Sequence, residues 1–137
     1  MLGLSTKTLY AVAALNALAL QNSDKAIKIK EIASLANIPQ NFLEQILLSL
    51  KKSGILISIK GAHGGYKLAR SLDDVTLAEI VEILEDGYFH TACKSEDPAL
   101  ELFWEDLGEK IYQDFDISLS TLTDYHRKID KILDFSI

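Results

Sequence analysis

The chain has 137 residues, one domain's worth, with 48% hydrophobic side chains, two prolines, seven glycines and a single cysteine, Cys93. That composition excludes a disulfide-stapled scaffold, a collagen-like chain and a disordered one, and no apolar stretch reaches the ~18–20 residues that span a bilayer. The net charge of −6 argues by itself against nucleic acid, yet it is unevenly divided: residues 1–70 hold nine basic and three acidic side chains (+6), and residues 71–137 hold five and seventeen (−12). Such asymmetry is a pointer towards nucleic-acid contact.

Taken in order, Ser5 can cap a helix running to about Gln21, with Leu9, Val12, Ala13, Leu15 and Leu18 as its apolar face. Lys7, the run Leu9 to Leu20 and Ala17-Leu18-Ala19 mimic a secretory signal, but Asn16 interrupts the run and the spacing is that of a buried helix. After a turn at Asn22-Ser23-Asp24, a short helix from about Ile29 to Leu35 faces Ile32, Ala33 and Leu35 inward. Asn37-Ile38-Pro39 breaks it, and Pro39 suits the start of a helix that carries Phe42, Leu43, Ile46, Leu47 and Leu50 and ends near Ser53-Gly54. Two short helices joined by a tight turn are a helix-turn-helix.

A strand over Ile55 to Lys60, the loop Gly61-Ala62-His63-Gly64-Gly65 and a return strand over Tyr66 to Arg70 then predict a wing. Thr76-x-x-Glu79 is a capping box opening a helix to about Glu85, and residues 86–98 read as a loop. A long helix from about Ala99 to Phe115 carries one stripe of Leu100, Phe103, Trp104, Leu107, Ile111 and Phe115, with Glu101, Glu105, Asp106, Glu109 and Asp114 largely off it. Gly108 inside this helix hints at close backbone packing. A last helix, about Thr121 to Leu133, presents Leu122, Tyr125, Ile129 and Leu133. The expected fold is mainly α with a small two-stranded β wing: a winged helix-turn-helix DNA-binding domain over residues 1–85, a loop over 86–98 and a helical dimerisation region over 99–137. The final stripes are too large for a small winged-helix core to bury, so a symmetric homodimer is expected, with the long-helix stripe as its interface.

A recognition helix presents its N-terminal residues to base edges in the major groove. Here those are Gln40, Asn41, Glu44 and Gln45. Asn and Gln amides pair bidentately with adenine, and a Glu carboxylate accepts from cytosine N4. Phe42 has no polar end, so it either packs against sugar or a thymine methyl or belongs to the core. Lys7, Lys51, Lys52 and Lys67 are the candidate phosphate contacts, Ser5 and Lys60 are further candidate DNA-binding residues, and His63 either touches phosphate when protonated or is a plain exposed histidine. The glycines of the wing loop suit a tight turn and close backbone approach; the G-x-x-x-x-G-K-[ST] pattern of a phosphate-cradling loop is absent.

Ser5-Thr6-Lys7-x-x-Tyr10-Ala11, Phe42-Leu43-Glu44-Gln45-Ile46-Leu47, Ile59-Lys60-Gly61-x-x-Gly64-Gly65-Tyr66-Lys67-Leu68-Ala69-Arg70 and Val75-Thr76-Leu77-x-x-Ile80-Val81 together resemble the Rrf-two family of bacterial winged-helix transcriptional regulators. The resemblance covers residues 4–85 closely and is looser beyond, where Leu102-x-Trp104 is similar to the start of that family's dimerisation helix. It implies that Asn41, Phe42 and Gln45 lie at the DNA interface. It also puts Lys60 at the wing-base position, usually arginine, that reaches the minor groove; lysine keeps the charge without the planar fork.

The family includes iron–sulfur regulators, a nitric-oxide-sensing repressor and a repressor of cysteine metabolism. Its cluster-binding members carry three cysteines between wing domain and long helix, where this chain has Cys93 and then Ala99 and Glu105; Thr8 and Val12 on the first helix offer no replacement ligands. One thiolate per subunit is too few for a standard cluster, so no iron–sulfur cofactor is expected. Cys93 remains a candidate sensing residue, as a redox thiol beside Lys94 or with His90 in a metal or haem site, against the alternative of an inert loop thiol. His126 reads as a surface or interface residue. With no nucleophile–base set and no metal-ligand spacing, the chain is not expected to be an enzyme. The expected function is that of a cytoplasmic, dimeric, sequence-specific regulator, a repressor, bound to double-stranded DNA at an inverted-repeat operator and not to a membrane. The alternative is a winged-helix protein-interaction module controlled by a partner enzyme.

Overall fold

The structure, a computed structural model, describes residues 3–90 and 94–135. Cys93 lies outside the described residues. The first helix, α1, spans Thr6–Leu20. Its buried side is Thr8, Ala11, Ala14, Leu15, Ala17 and Leu18, whereas Leu9, expected inside, is 54% exposed. The helix is apolar on nearly every side, so periodicity does not choose the inward face; the alanines do, because they allow α2 (Ile29–Ala36), α3 (Gln40–Lys52) and α4 (Leu77–Leu84) to pack closely against it.

Asn37 ends α2 in the left-handed conformation (φ 56°, ψ 50°), and the Ile38 N–H reaches back to the Ala33 carbonyl at 2.9 Å. Pro39, at the N-cap of α3, completes the turn of the helix-turn-helix. Ile32, Ile38, Leu43, Ile46, Leu47 and Leu50 join α1 in one core, while Leu35 points outward.

The wing is an antiparallel pair, β1 (Leu56–Ile59) and β2 (Gly65–Leu68), in register from Leu56↔Leu68 to Ile59↔Gly65. Both strands are shorter than the sequence pattern suggests, because Ile55 turns into the core and Arg70 is drawn towards α4. Two glycines are required here. A Cβ at Gly64 would sit 2.2 Å from the Ile59 carbonyl oxygen, and one at Gly65 (φ +147°) would sit 2.3 Å from the Ile27 carbonyl oxygen. The second restriction arises because Ile27 and Tyr66 exchange backbone hydrogen bonds of 2.8 Å, which ties the wing to the stretch preceding α2.

Thr76 caps α4, its hydroxyl accepting the Glu79 N–H at 3.1 Å. The Glu79 carboxylate is held by the Arg70 guanidinium at 2.6 Å, so half of the predicted capping box also anchors the wing to α4. The Asp97 carboxylate caps α5 (Pro98–Phe115). Phe89, Ala78 and Val81 form a second cluster with Tyr88, Ile111, Tyr112 and Phe115. Gly108 lets α5 approach it: a Cβ there would lie 2.2 Å from the Phe89 carbonyl oxygen.

Beyond α5 the chain pairs back on the first core, with the Leu119 N–H donating to the Val75 carbonyl at 2.8 Å and the Ser118 hydroxyl to the Leu72 carbonyl at 2.8 Å. The last helix, α6 (Leu122–Phe135), buries no side chain among the described residues. No helix of the described residues is long and apolar enough to cross a membrane.

Candidate nucleic-acid interface

The buried face of α3 fixes what its other face presents. With Leu43, Ile46, Leu47 and Leu50 locked in the core, Gln40, Asn41, Glu44 and Gln45 are all exposed along its first turns. Phe42 is 58% exposed, which decides against a core role. Between α3 and the start of α1 runs a groove of about 470 Å³, lined by Ser5, Lys7 and Tyr10 on one side and Asn41, Phe42 and Gln45 on the other. The Tyr10 and Phe42 rings meet edge-on, 6.3 Å between centroids. The groove therefore brings together a cation, two amides that both donate and accept, and an exposed apolar ring, drawn from two segments more than thirty residues apart in sequence.

Ser5 does not cap α1 through its own hydroxyl, as its sequence position suggests. Its backbone N–H donates instead to Glu85 Oε1 at 2.7 Å, and the buried Thr8 hydroxyl donates to the same oxygen at 2.8 Å. The Ser5 side chain foremost, against the opposing effect of partial burial, and then the Ser5 N–H, the Thr8 hydroxyl and nearby Lys7, hold the Glu85 carboxyl below its usual range.

At the wing, Lys60 and His63 are exposed and Lys67 is half-buried. A shallow cavity of about 520 Å³ places His63, Ile59 and Gly64 of the wing against Lys25 and Lys28, with Asp24 and Glu31 also on its wall. Lys25 and Lys28 carry no local motif; the Ile27–Tyr66 pairing brings them beside the wing. Lys51 and Lys52 are exposed in the last turn of α3, where they also complement the negative end of that helix.

On α5, the predicted stripe divides. Leu100, Phe103, Trp104 and Leu107 are exposed, with the Phe103 and Trp104 rings 5.0 Å apart. Ile111 and Phe115 pack within the chain's own second cluster. Tyr125, Ile129, Ile132 and Leu133 form a further exposed apolar face on α6. His126 lies 3.3 Å from the Asn16 side chain of α1.

A family model, Rrf2, described as "Iron-dependent Transcriptional regulator", matches residues 4–124. The chain belongs to the Rrf2 family. It is 36% identical to a candidate HTH-type transcriptional regulator of Aquifex aeolicus over 116 residues, 77% of this chain and 79% of that one. It is 29% identical to the HTH-type transcriptional regulator CymR of Bacillus subtilis, over 89% of this chain and 90% of that one. Among solved structures, CymR of B. subtilis, the global cysteine regulator, superposes with a TM-score of 0.75 at 30% identity, covering 91% of this chain and 98% of that one. The T. potens IscR superposes with a TM-score of 0.70 at 31% identity, covering 89% and 87%. The six helices and two-stranded sheet described above are thus the winged-helix architecture of this Rrf2 family, and these relatives are transcriptional regulators rather than enzymes.

The family description implies iron, and the described residues do not fit it. No group of three or more His, Cys, Asp or Glu among them is placed to hold a metal ion. Ala99 and Glu105, the two positions that the family resemblance assigns to further thiolates, stand exposed on α5 and offer no sulfur. This Rrf2 chain therefore lacks the donor set of a three-thiolate cluster. His90 and Lys94, the neighbours proposed for Cys93, border a cavity of about 650 Å³ with Trp104, Tyr112 and Glu82.

Proposed function

We propose that this Rrf2 chain is a homodimeric, sequence-specific regulator that represses transcription by binding an inverted-repeat operator. The single observation that carries the reading is the α1–α3 groove, where Asn41 and Gln45 stand exposed beside Lys7 on the basic half of the chain. In this reading α3 lies in the major groove, with Gln40, Asn41, Glu44 and Gln45 towards base edges and Phe42 towards a thymine methyl or sugar. Ser5, Lys7, Lys51, Lys52, Lys60, His63 and Lys67 hold the backbone, joined by Lys25 and Lys28, and the wing follows the flanking groove. The exposed part of the α5 stripe, Leu100, Phe103, Trp104 and Leu107, pairs two subunits. Residues 1–85 then act as the reader, 86–98 as the connection and 99–137 as the dimerisation region.

Binding of the full chain to inverted-repeat and random duplexes across a salt series tests this. A specific complex whose affinity falls steeply with salt is expected. Lys60→Ala should weaken it more at low salt and lower the log–log slope by about 0.9 if Lys60 contacts one phosphate. Affinity indifferent to salt, or equal for random duplex, refutes the reading and favours a protein-docking module.

A further inference from the structure

Glu85 stands in the wrong place for its own helix. It closes α4 at the C-terminal end, where a helix's negative pole disfavours a carboxylate. From there the side chain crosses to the positive end of α1, 80 residues back in sequence, and takes the Ser5 N–H and the Thr8 hydroxyl on one oxygen. Thr8 is fully buried, and its hydroxyl has to be satisfied there. The pair of bonds fixes the first turn of α1, in which the Thr8 and Leu9 N–H groups bond the Ser5 carbonyl. That same turn supplies Ser5, Thr6 and Lys7 to the groove facing Asn41, Phe42 and Gln45. Glu85 is also where α4 ends and the chain turns extended into the connecting segment.

We propose that Glu85 is a positioning residue for DNA reading: it sets the start of α1 against the recognition helix, and so ties the geometry of the reading groove to the segment that follows α4. The inference rests on the DNA-binding reading above. It has a consequence of definite sign. Removing a negative charge near Lys7 should tighten DNA binding if charge alone matters. Loss of positioning should weaken it.

The test compares full-length wild type, Glu85→Gln, Glu85→Ala and Thr8→Val, the last removing one of the two bonds while keeping the side chain's volume. Each is measured for duplex affinity at fixed salt and for amide hydrogen exchange in the free protein. Glu85→Ala should lose about tenfold in affinity for the inverted repeat, the order expected from stripping a partner from buried polar groups. Glu85→Gln, which keeps an acceptor oxygen, and Thr8→Val should each lose less. Exchange should accelerate in the first turn of α1 and stay unchanged over Leu43 to Leu50, which separates lost positioning from general unfolding. The double variant Thr8→Val with Glu85→Ala should be no weaker than Glu85→Ala alone, because both changes remove the same contact. Tighter binding by Glu85→Gln, unaltered exchange at the start of α1, or altered exchange with unaltered affinity would each overturn the assignment. Wild type without affinity for either duplex refutes the DNA reading and this assignment with it, whereas wild-type binding matched by Glu85→Ala refutes the assignment alone.

Discussion

Single residues in this protein act through what holds them. Gln45 stands exposed because Ile46 and Leu47 beside it are locked in the core, and in the proposed reading its amide meets a base edge. Gln45→Ala should cost about 1–3 kcal/mol at one operator position, measured by binding to single-base operator variants, and a uniform loss across all variants would reassign it to the backbone. Glu85 also makes a prediction for the free protein. Its folded-state carboxyl is held below the ordinary range by the Ser5 and Thr8 hydrogen bonds. It therefore adds stability that is present above the ordinary carboxylate range and is lost as pH falls through the depressed value. Wild type should exceed Glu85→Gln in melting temperature at neutral pH, and the gap should close on acidification below about pH 4. A gap that widens on acidification would contradict the sign. The role of Glu85 is not legible in the sequence, where it is one more acid at a helix end.

At the scale of elements, the pattern of glycine, proline and capping residues located the helix-turn-helix, the wing and the capped start of α4. The elements expected from that pattern and those observed differ by a residue or two at their ends. What the pattern missed are the faces. Spacing puts Leu9 on the apolar face of α1, yet α1 packs largely through alanines; Ile111 and Phe115 share a stripe with Trp104 but are used inside the chain. Periodicity says which residues share a face and not which neighbour covers it. Gly108 is the exception, since a glycine inside a helix announces a close approach that the Phe89 carbonyl provides. Gly108→Ala should lower stability by about 1–3 kcal/mol despite alanine's better helix propensity, because α5 must move off the Phe89 loop. Chemical denaturation measures this, and a stabilised variant would show that the contact yields freely.

For the whole molecule, two apolar surfaces remain outside the chain's own core: the first half of α5 and one face of α6. Patches of that kind mark association. If two subunits pair through α5 as proposed, Trp104→Ala should shift the association towards monomer in sedimentation equilibrium at micromolar concentration, and unchanged association would remove Trp104 from the proposed interface. The charge distribution then takes on a direction. The basic half carries the groove and wing, and the acidic half carries α5 and α6, so a net charge of −6 is compatible with a reader whose acidic end is held away from phosphate.

The order of elements, the helix-turn-helix, the wing and the family are legible in the residues alone, because they rest on local signals: helical spacing, turn residues and contiguous motifs. Tertiary structure decided which faces are buried, which lysines stand beside the wing, and what caps α1. Ile27 pairing with Tyr66 and Glu85 reaching Ser5 join stretches 39 and 80 residues apart. Such pairings leave no local trace, since each partner's residue type is ordinary for its own segment and acquires its meaning only when the fold brings the two together.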